Sequence, residues 1–267
     1  MPASQPFIDT VPRRALASVR CCWFCSALLH SALALLASQR DMTDAPPRPP
    51  RPSASILVFG DSLTEGYVKV PGRMFPDFHA YSVKLQELLE ARWPFANITI
   101  DNKGVSGDSA FNMLTRLKMA LMDVPPPSFD LAIVLAGTND LWKDSVSEAD
   151  ITAAIVRLHE AVLAHPNTHS VVVSMPPFMY GLDEHRPMFD PRRPNINDAL
   201  RRWSDEHAER TSFFDLASAI PHDEQHRHLW SDGIHYSHEG YDRIAELLFD
   251  FVAPKLARVL DPHAEQQ

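Results

Sequence analysis

From Ser55 onward, strand-like and helix-like segments alternate along the chain, and this alternation limits the fold more than any other feature of the sequence. Apolar runs of strand length predict five strands, at residues 55–59, 98–102, 131–136, 170–174 and 211–214. Helical patterns lie between and after them, at about residues 81–92, 109–122, 147–164, 194–209 and 238–250, and Ser147 and Ser237 are predicted N-caps. This order is typical of a parallel sheet covered on both faces. We expect a single three-layer α/β domain with a five-stranded parallel sheet.

The first 53 residues differ in composition from the rest, and we expect them to be a dispensable segment that precedes a domain at residues 54–260. Arginines precede a mostly apolar stretch, Cys21–Ala37, which resembles a signal, an anchor or a transit peptide. A proline-rich linker of polyproline-II type follows at Ala45–Pro52. Two explanations remain open: residues 1–41 are a targeting or anchoring leader, or translation begins at Met42.

Charge and cysteine usage narrow the range of partners and compartments. The formal net charge is −9 and no basic stripe is present, which argues against nucleic acid or an anionic membrane as the main partner. We expect membrane contact only if the leader is retained as an anchor. All three cysteines, Cys21, Cys22 and Cys25, lie in the leader, so no disulfide framework holds the domain. This slightly favours an intracellular location over secretory or organellar targeting, and the sequence fixes no oligomeric state.

Short polar and glycine-containing blocks follow three of the predicted strands, and a fourth lies near the C-terminus. They are Gly60-Asp61-Ser62-Leu63, Asn102-Lys103-Gly104-Val105-Ser106-Gly107-Asp108, Gly137-Thr138-Asn139-Asp140 and Ser231-Asp232-Gly233-Ile234-His235. Ligands and chemistry collect outside the carboxyl ends of the strands in open α/β sheets. Each block alone is also consistent with a plain turn, since Gly, Asp, Asn and Ser are the usual turn formers.

In this order the four blocks resemble the SGNH (GDSL-type) serine hydrolase family, and the resemblance spans essentially residues 55–253. It implies a flavodoxin-like strand order and hydrolysis of carboxylic (acyl) esters through an acyl-enzyme, without a cofactor or a metal. It implies Ser62 as the nucleophile, His235 as the base and Asp232 as the group that orients the base. It further implies an oxyanion hole formed by Ser62, Gly104 and Asn139.

The chemistry of these residue types agrees with the resemblance. A neutral serine hydroxyl is a poor nucleophile and needs an imidazole within hydrogen-bond reach, itself held by a carboxylate. Asp232 and His235 are three residues apart on one short loop, so local folding alone can bring them together. The α/β-hydrolase fold is disfavoured, because Thr64 stands where its G-x-S-x-G motif requires a second glycine.

Five histidines between His222 and His238 are a possible metal site, but they lie in a mixed polar segment without a cysteine nearby.

The sequence leaves the function and the substrate partly open. A catalytically silent binding module is the non-enzyme alternative. The substrate is expected to be a small-molecule ester; a carbohydrate or other small acetyl ester, a lysophospholipid and an acyl-thioester are the alternatives. Two long irregular segments, Gly66–His79 and Pro176–Pro194, are predicted to contribute to substrate binding.

Overall fold

A parallel sheet forms the centre of the computed structural model, which describes residues 51–122, 129–178 and 190–261. The strands in these ranges are Ser53–Gly60 (β1), Tyr67–Val68 (β2), Asp77–Phe78 (β3), Asn97–Gly104 (β4), Leu131–Leu135 (β5), His169–Val173 (β6) and Thr211–Phe214 (β7). The five-stranded sheet has the order β4-β1-β5-β6-β7, and every neighbouring pair in it is parallel. Counted along the sheet-forming strands this is the 2-1-3-4-5 order of flavodoxin-like folds. The predicted fold class is confirmed.

Helices connect these strands and cover both faces of the sheet. They are Ser62–Glu65 (α1), Tyr81–Arg92 (α2), Ala110–Met122 (α3), Glu148–Leu163 (α4), Arg192–Glu206 (α5), Leu216–Ala219 (α6) and His238–Leu260 (α7), with 3₁₀ turns at Thr138–Trp142 and Arg227–Leu229. Both predicted N-caps are confirmed: Ser147 Oγ accepts the Asp150 N–H at 3.1 Å, and Ser237 Oγ accepts the Gly240 N–H at 3.1 Å.

The side chains of β1 are buried on both faces of the sheet, which explains its continuous apolar sequence. Ile56 and Val58 point into a core shared with α2 and α7, whereas Leu57 and Phe59 point into a second core shared with α3, α4 and α5. Burying each such side chain stabilises the fold by about 1.5–3 kcal/mol. β1 is therefore fixed from both sides, and so is the position at which it ends.

Two elements differ from the sequence-based expectation. Helix α7 continues ten residues beyond the predicted end at residue 250 and contains Pro254, because its buried apolar stripe continues through Val252, Leu256 and Leu260. The segment Gly66–His79, predicted to be irregular, contains the antiparallel hairpin β2–β3.

Part of the sequence-based interpretation falls outside the described ranges. The predicted leader and linker, residues 1–53, lie outside them except for the last three residues, and Ser53 already begins β1. Most of the predicted segment Pro176–Pro194 also lies outside, and its last residues belong to α5. Within the described ranges, no helix combines the length and the apolar character that a membrane crossing requires.

His159 of α4 gives the fold a specific pH dependence. The side chain is fully buried, its Nδ1 lies 2.8 Å from Ser170 Oγ, and burial lowers the pKa of His159 to about 3. The unfolded chain takes up this proton near pH 6.5, whereas the folded chain resists it down to about pH 3. The contribution of His159 to the free energy of unfolding therefore falls as the pH drops below about 6.5, by about 1.4 kcal/mol per pH unit.

We expect His159→Gln to reduce the loss of stability between pH 6.5 and pH 4.5, measured by urea unfolding at several pH values. Burial raises the pKa of Asp61 to about 7, so protonation of Asp61 increases the free energy of unfolding as the pH falls through the same range. Asp61 is present in both proteins, and the difference between the variant and the wild type therefore isolates the effect of His159. Parallel stability curves for the two proteins would contradict the assignment.

Candidate active site

Ser62 is the first residue of α1, and Asp61 alone separates it from Gly60, the last residue of β1. The buried carboxylate of Asp61 caps this short helix by accepting the Leu63 N–H at 3.0 Å. Gly66 ends the helix with φ 90°, a left-handed conformation that favours glycine. A strand, a capped turn of helix and a glycine thus hold the hydroxyl of Ser62 at the carboxyl edge of the sheet, with 8% of the residue exposed.

The loop before α7 brings a carboxylate and an imidazole together. Asp232 Oδ1 accepts the backbone N–H groups of Ile234 at 2.7 Å and His235 at 2.6 Å, and its Oδ2 lies 2.9 Å from His235 Nδ1. Burial opposes ionisation of Asp232, but the hydrogen bonds from His235 and Ile234 outweigh it, so the pKa of this carboxyl lies below its usual value. Asp232 is therefore an anion at neutral pH.

Ser62, His235 and Asp232 form one continuous chain of hydrogen bonds. Ser62 Oγ lies 3.0 Å from His235 Nε2. Because an ionised carboxylate can only accept, Nδ1 of His235 carries the proton that faces Asp232, and in the neutral ring Nε2 is the acceptor that faces the serine hydroxyl. The geometry is that of a nucleophile, a base and an orienting carboxylate.

The hairpin β2–β3 packs over the imidazole. The ring of Tyr67 lies against that of His235, with 4.3 Å between centroids. The hairpin is fastened on either side, since the Tyr67 carbonyl accepts the Tyr241 hydroxyl at 2.9 Å and the Lys69 N–H donates to Ser231 Oγ at 3.0 Å. Tyr67, a residue that the sequence analysis did not single out, thus brings the segment Gly66–His79 into contact with the imidazole.

Asn139 lies in the 3₁₀ turn that follows β5. Its Nδ2 donates to the Asp108 carbonyl at 2.9 Å and lies 3.4 Å from Asp61 Oδ2. The first contact fixes the amide, and the second is long and weak. The amide of Asn139 thus reaches Asp61, the residue that precedes Ser62.

Gly104, the predicted second donor, is placed differently. It is the last residue of β4, and its N–H is already bound to Asn102 Oδ1 at 2.8 Å. A Cβ at this position would overlap the backbone of Glu65 in α1. The structure thus does not support Gly104 as an oxyanion donor, and explains this glycine by the close approach of β4 to α1.

Gly107, three residues further on, fits the role better. It has φ 78°, and among the described residues nothing accepts its backbone N–H. It directly precedes Asp108, whose carbonyl holds Asn139. Ser106 anchors the same turn, because its N–H donates to Glu65 Oε2 at 2.8 Å. The signal in the sequence was the second glycine of this block, in Ser106-Gly107-Asp108.

The histidines near the C-terminus have separate partners. His222 stacks on Trp230, His226 contacts Asp223 at 2.7 Å, and His238 contacts Asp77 at 3.0 Å. Across the described parts of the chain, no three His, Cys, Asp or Glu side chains gather as a possible metal site.

Comparison with known proteins assigns the family. The model of the GDSL-like Lipase/Acylhydrolase family matches residues 58–243, which is more than half of the chain and includes all four blocks. The chain belongs to this family. The predicted resemblance is confirmed, and the GDSL-like protein is an esterase-type hydrolase whose substrates are small-molecule esters. A comparison with curated protein sequences finds no significant match.

Several solved structures similar to this GDSL-like hydrolase are described as esterases. One is Est24, a carbohydrate acetylesterase from Sinorhizobium meliloti, with 25% identity, a TM-score of 0.61, and coverage of 75% of this chain and 99% of that one. Another is the aryl esterase of M. smegmatis, with 23% identity, a TM-score of 0.60, and coverage of 75% and 99%. A third is Axe2, an acetylxylan esterase from Geobacillus stearothermophilus, with 20% identity, a TM-score of 0.57, and coverage of 74% and 93%. The last two, below 25% identity, show the fold alone.

Proposed function

We propose that the protein hydrolyses esters of short acyl groups, acetyl above all, with Ser62 as the nucleophile. The observation that carries the proposal is the hydrogen-bonded chain from Ser62 Oγ through His235 to Asp232, with distances of 3.0 and 2.9 Å. The short acyl group is supported by the similarity to Est24, which is described as a carbohydrate acetylesterase.

The reaction follows from the positions of these groups. Ser62 Oγ attacks the ester carbonyl while His235 Nε2 takes its proton, and Asp232 stabilises the imidazolium that forms. The tetrahedral intermediate then collapses, and the proton moves from Nε2 to the leaving alkoxide, which departs as an alcohol. Water attacks the acyl-enzyme with the same base, and the acid leaves as Ser62 recovers its proton.

The negative charge on the tetrahedral oxygen needs donors that are already in place. We propose the backbone N–H groups of Ser62 and Gly107 together with Asn139 Nδ2. The three donors lie at or just beyond the ends of β1, β4 and β5, which are neighbours in the sheet. Removal of one such donor typically lowers kcat about 100- to 1,000-fold.

The proposal is tested with p-nitrophenyl esters from acetyl to palmitoyl, to which a lysophospholipid and an acyl-thioester are added. We expect kcat/KM to be highest for acetyl and to fall at least about tenfold by octanoyl, since each methylene that a small acyl site rejects costs about 1–3 kcal/mol. A preference for palmitoyl, lysophospholipid or thioester would overturn the substrate class.

A fluorophosphonate label separates the substrate class from the mechanism. Labelling of Ser62 without hydrolysis of any ester in the panel would retain the nucleophile and reject the acetyl ester. No labelling of the folded protein would reject the enzyme and favour the silent binding module.

A further inference from the structure

The side chain of Arg116, in α3, contacts the carboxyl ends of β1 and β4. Its Nε and Nη2 donate to Asp108 Oδ2 at 3.1 and 2.8 Å, and Nη2 also donates to the Gly60 carbonyl at 3.0 Å. Nη1 donates to the Lys103 carbonyl. The guanidinium lies over the ring of Phe59, with its central carbon 4.1 Å from the ring centroid. One side chain therefore joins the ends of two strands and the loop that follows them.

Each of these contacts lies close in sequence to a proposed oxyanion donor. Gly60 is two residues before Ser62, at the end of β1. Asp108 follows Gly107, and the carbonyl of Asp108 holds the Asn139 amide at 2.9 Å. The carboxylate of Asp108 is thus bound to Arg116 while its carbonyl is bound to Asn139. The donors come from three separate segments, and the guanidinium is tied to all three, to the third through Asp108.

Arginine suits such a task for a physical reason. A guanidinium presents five N–H donors in a rigid plane, so several acceptors bound to it are held in a fixed mutual geometry. An oxyanion hole depends on that geometry, because donors act only when they lie about 2.7–3.1 Å from the developing charge. A displacement of about 1 Å at such a site can cost roughly 100-fold in rate.

The positive charge of Arg116 is a weaker explanation for its position. The guanidinium and the Asp108 carboxylate form a close ion pair with 28% and 14% of their side chains exposed, so the pair adds little net charge to the site. A lysine at position 116 can distinguish an electrostatic role from a geometric one, because lysine preserves the positive charge but not the planar set of donors.

We propose that Arg116 is a positioning residue that aligns the oxyanion donors of Ser62, Gly107 and Asn139. The proposal rests on the proposed ester hydrolysis at Ser62. It predicts that loss of the guanidinium lowers kcat and spares KM, because oxyanion contacts strengthen only in the transition state.

The experiment compares Arg116→Gln and Arg116→Lys with the wild-type enzyme on p-nitrophenyl acetate. We expect kcat to fall about 10- to 100-fold in both variants with KM within about twofold, and the affinity for a trifluoromethyl ketone to fall in parallel with kcat. Full activity of Arg116→Lys would overturn the proposal, because charge alone would then suffice. An effect on KM alone would also overturn it.

A double-mutant cycle with Asn139→Ala tests whether Arg116 acts through the oxyanion hole. We expect Arg116→Gln to cost less in the Asn139→Ala background than in the wild type, since one of the three aligned donors is already absent. Fully additive losses would reject the mechanism. If Arg116→Gln does not fold, Asp108→Asn provides the same test from the other side of the ion pair, with a smaller loss of kcat expected.

Arg210 provides a matched control. It donates to three carbonyls, those of Leu163, His165 and Thr168. These residues precede β6, so they lie at the amino ends of the strands and away from Ser62. Arg210→Gln should lower the melting temperature and leave kcat unchanged. An equal loss of kcat in both arginine variants would indicate a general loss of stability and overturn the proposal. A wild-type protein that neither hydrolyses the ester nor labels at Ser62 would instead reject the proposed function itself.

Discussion

Ser62→Ala is expected to abolish ester hydrolysis, with a loss of kcat of roughly 10⁵- to 10⁶-fold, because the attacking oxygen is removed. Covalent labelling by a fluorophosphonate should disappear with it. The fold should persist: the hydroxyl has His235 as its partner, and the cap of α1 is provided by Asp61. Activity is measured by initial rates on p-nitrophenyl acetate, and folding by thermal unfolding.

Ser218→Ala is the matched control for this variant. Ser218 also lies in a four-residue helix that follows a strand, but it is exposed and its hydroxyl donates to Asp215 at 2.8 Å. It should retain wild-type kcat and labelling. A rate of hydrolysis by Ser62→Ala close to that of Ser218→Ala would reject Ser62 as the nucleophile.

His235→Ala is expected to be about as harmful as Ser62→Ala, whereas Asp232→Asn should be milder by roughly 100-fold. The alanine variant has no base to take the proton from Ser62. The asparagine variant keeps the base but presents an amide in place of the carboxylate oxygen that lies 2.9 Å from Nδ1, which disfavours the required tautomer.

Single variants and the Ser62→Ala/His235→Ala pair are compared by kcat on one ester. The pair should be no worse than either single variant, since the two residues act as a unit. Multiplicative losses would show that His235 acts independently of Ser62. A loss in Asp232→Asn equal to that in His235→Ala would point to collapse of the loop that Asp232 Oδ1 supports through two backbone N–H groups.

The residues of the candidate triad could be predicted from the sequence because each lies in a short, recognisable local pattern. Ser62 lies two residues after the end of an apolar strand, and Asp232 and His235 meet within one turn. The catalytic roles themselves remain predictions for the variants above. The sequence could not separate Gly104 from Gly107, because both suit a turn and the pattern does not say where β4 ends. The structure favours Gly107, since the Gly104 N–H is bound to Asn102 and the Gly107 N–H has no acceptor among the described residues.

Other features depend on contacts that leave no local pattern. Arg116 binds the carbonyl of Gly60, 56 residues away, so its sequence neighbours do not point to its position. The extension of α7 past Pro254 depends on core packing that outweighs the usual effect of proline on a helix. The five-stranded sheet was predictable because three of its strands, β1, β5 and β6, carry apolar runs and helices of ordinary length separate the strands.

Ser62 and His235, the proposed nucleophile and base, are separated by 173 residues of sequence. Two other contacts join equally distant parts of the chain: the Tyr241 hydroxyl binds the Tyr67 carbonyl, and Trp93 Nε1 binds Asp261 Oδ2 at 2.7 Å. During synthesis the ribosome therefore releases most of the domain before His235 can reach Ser62. Under the proposed mechanism, the serine of the nascent chain is an ordinary, unreactive hydroxyl until that point.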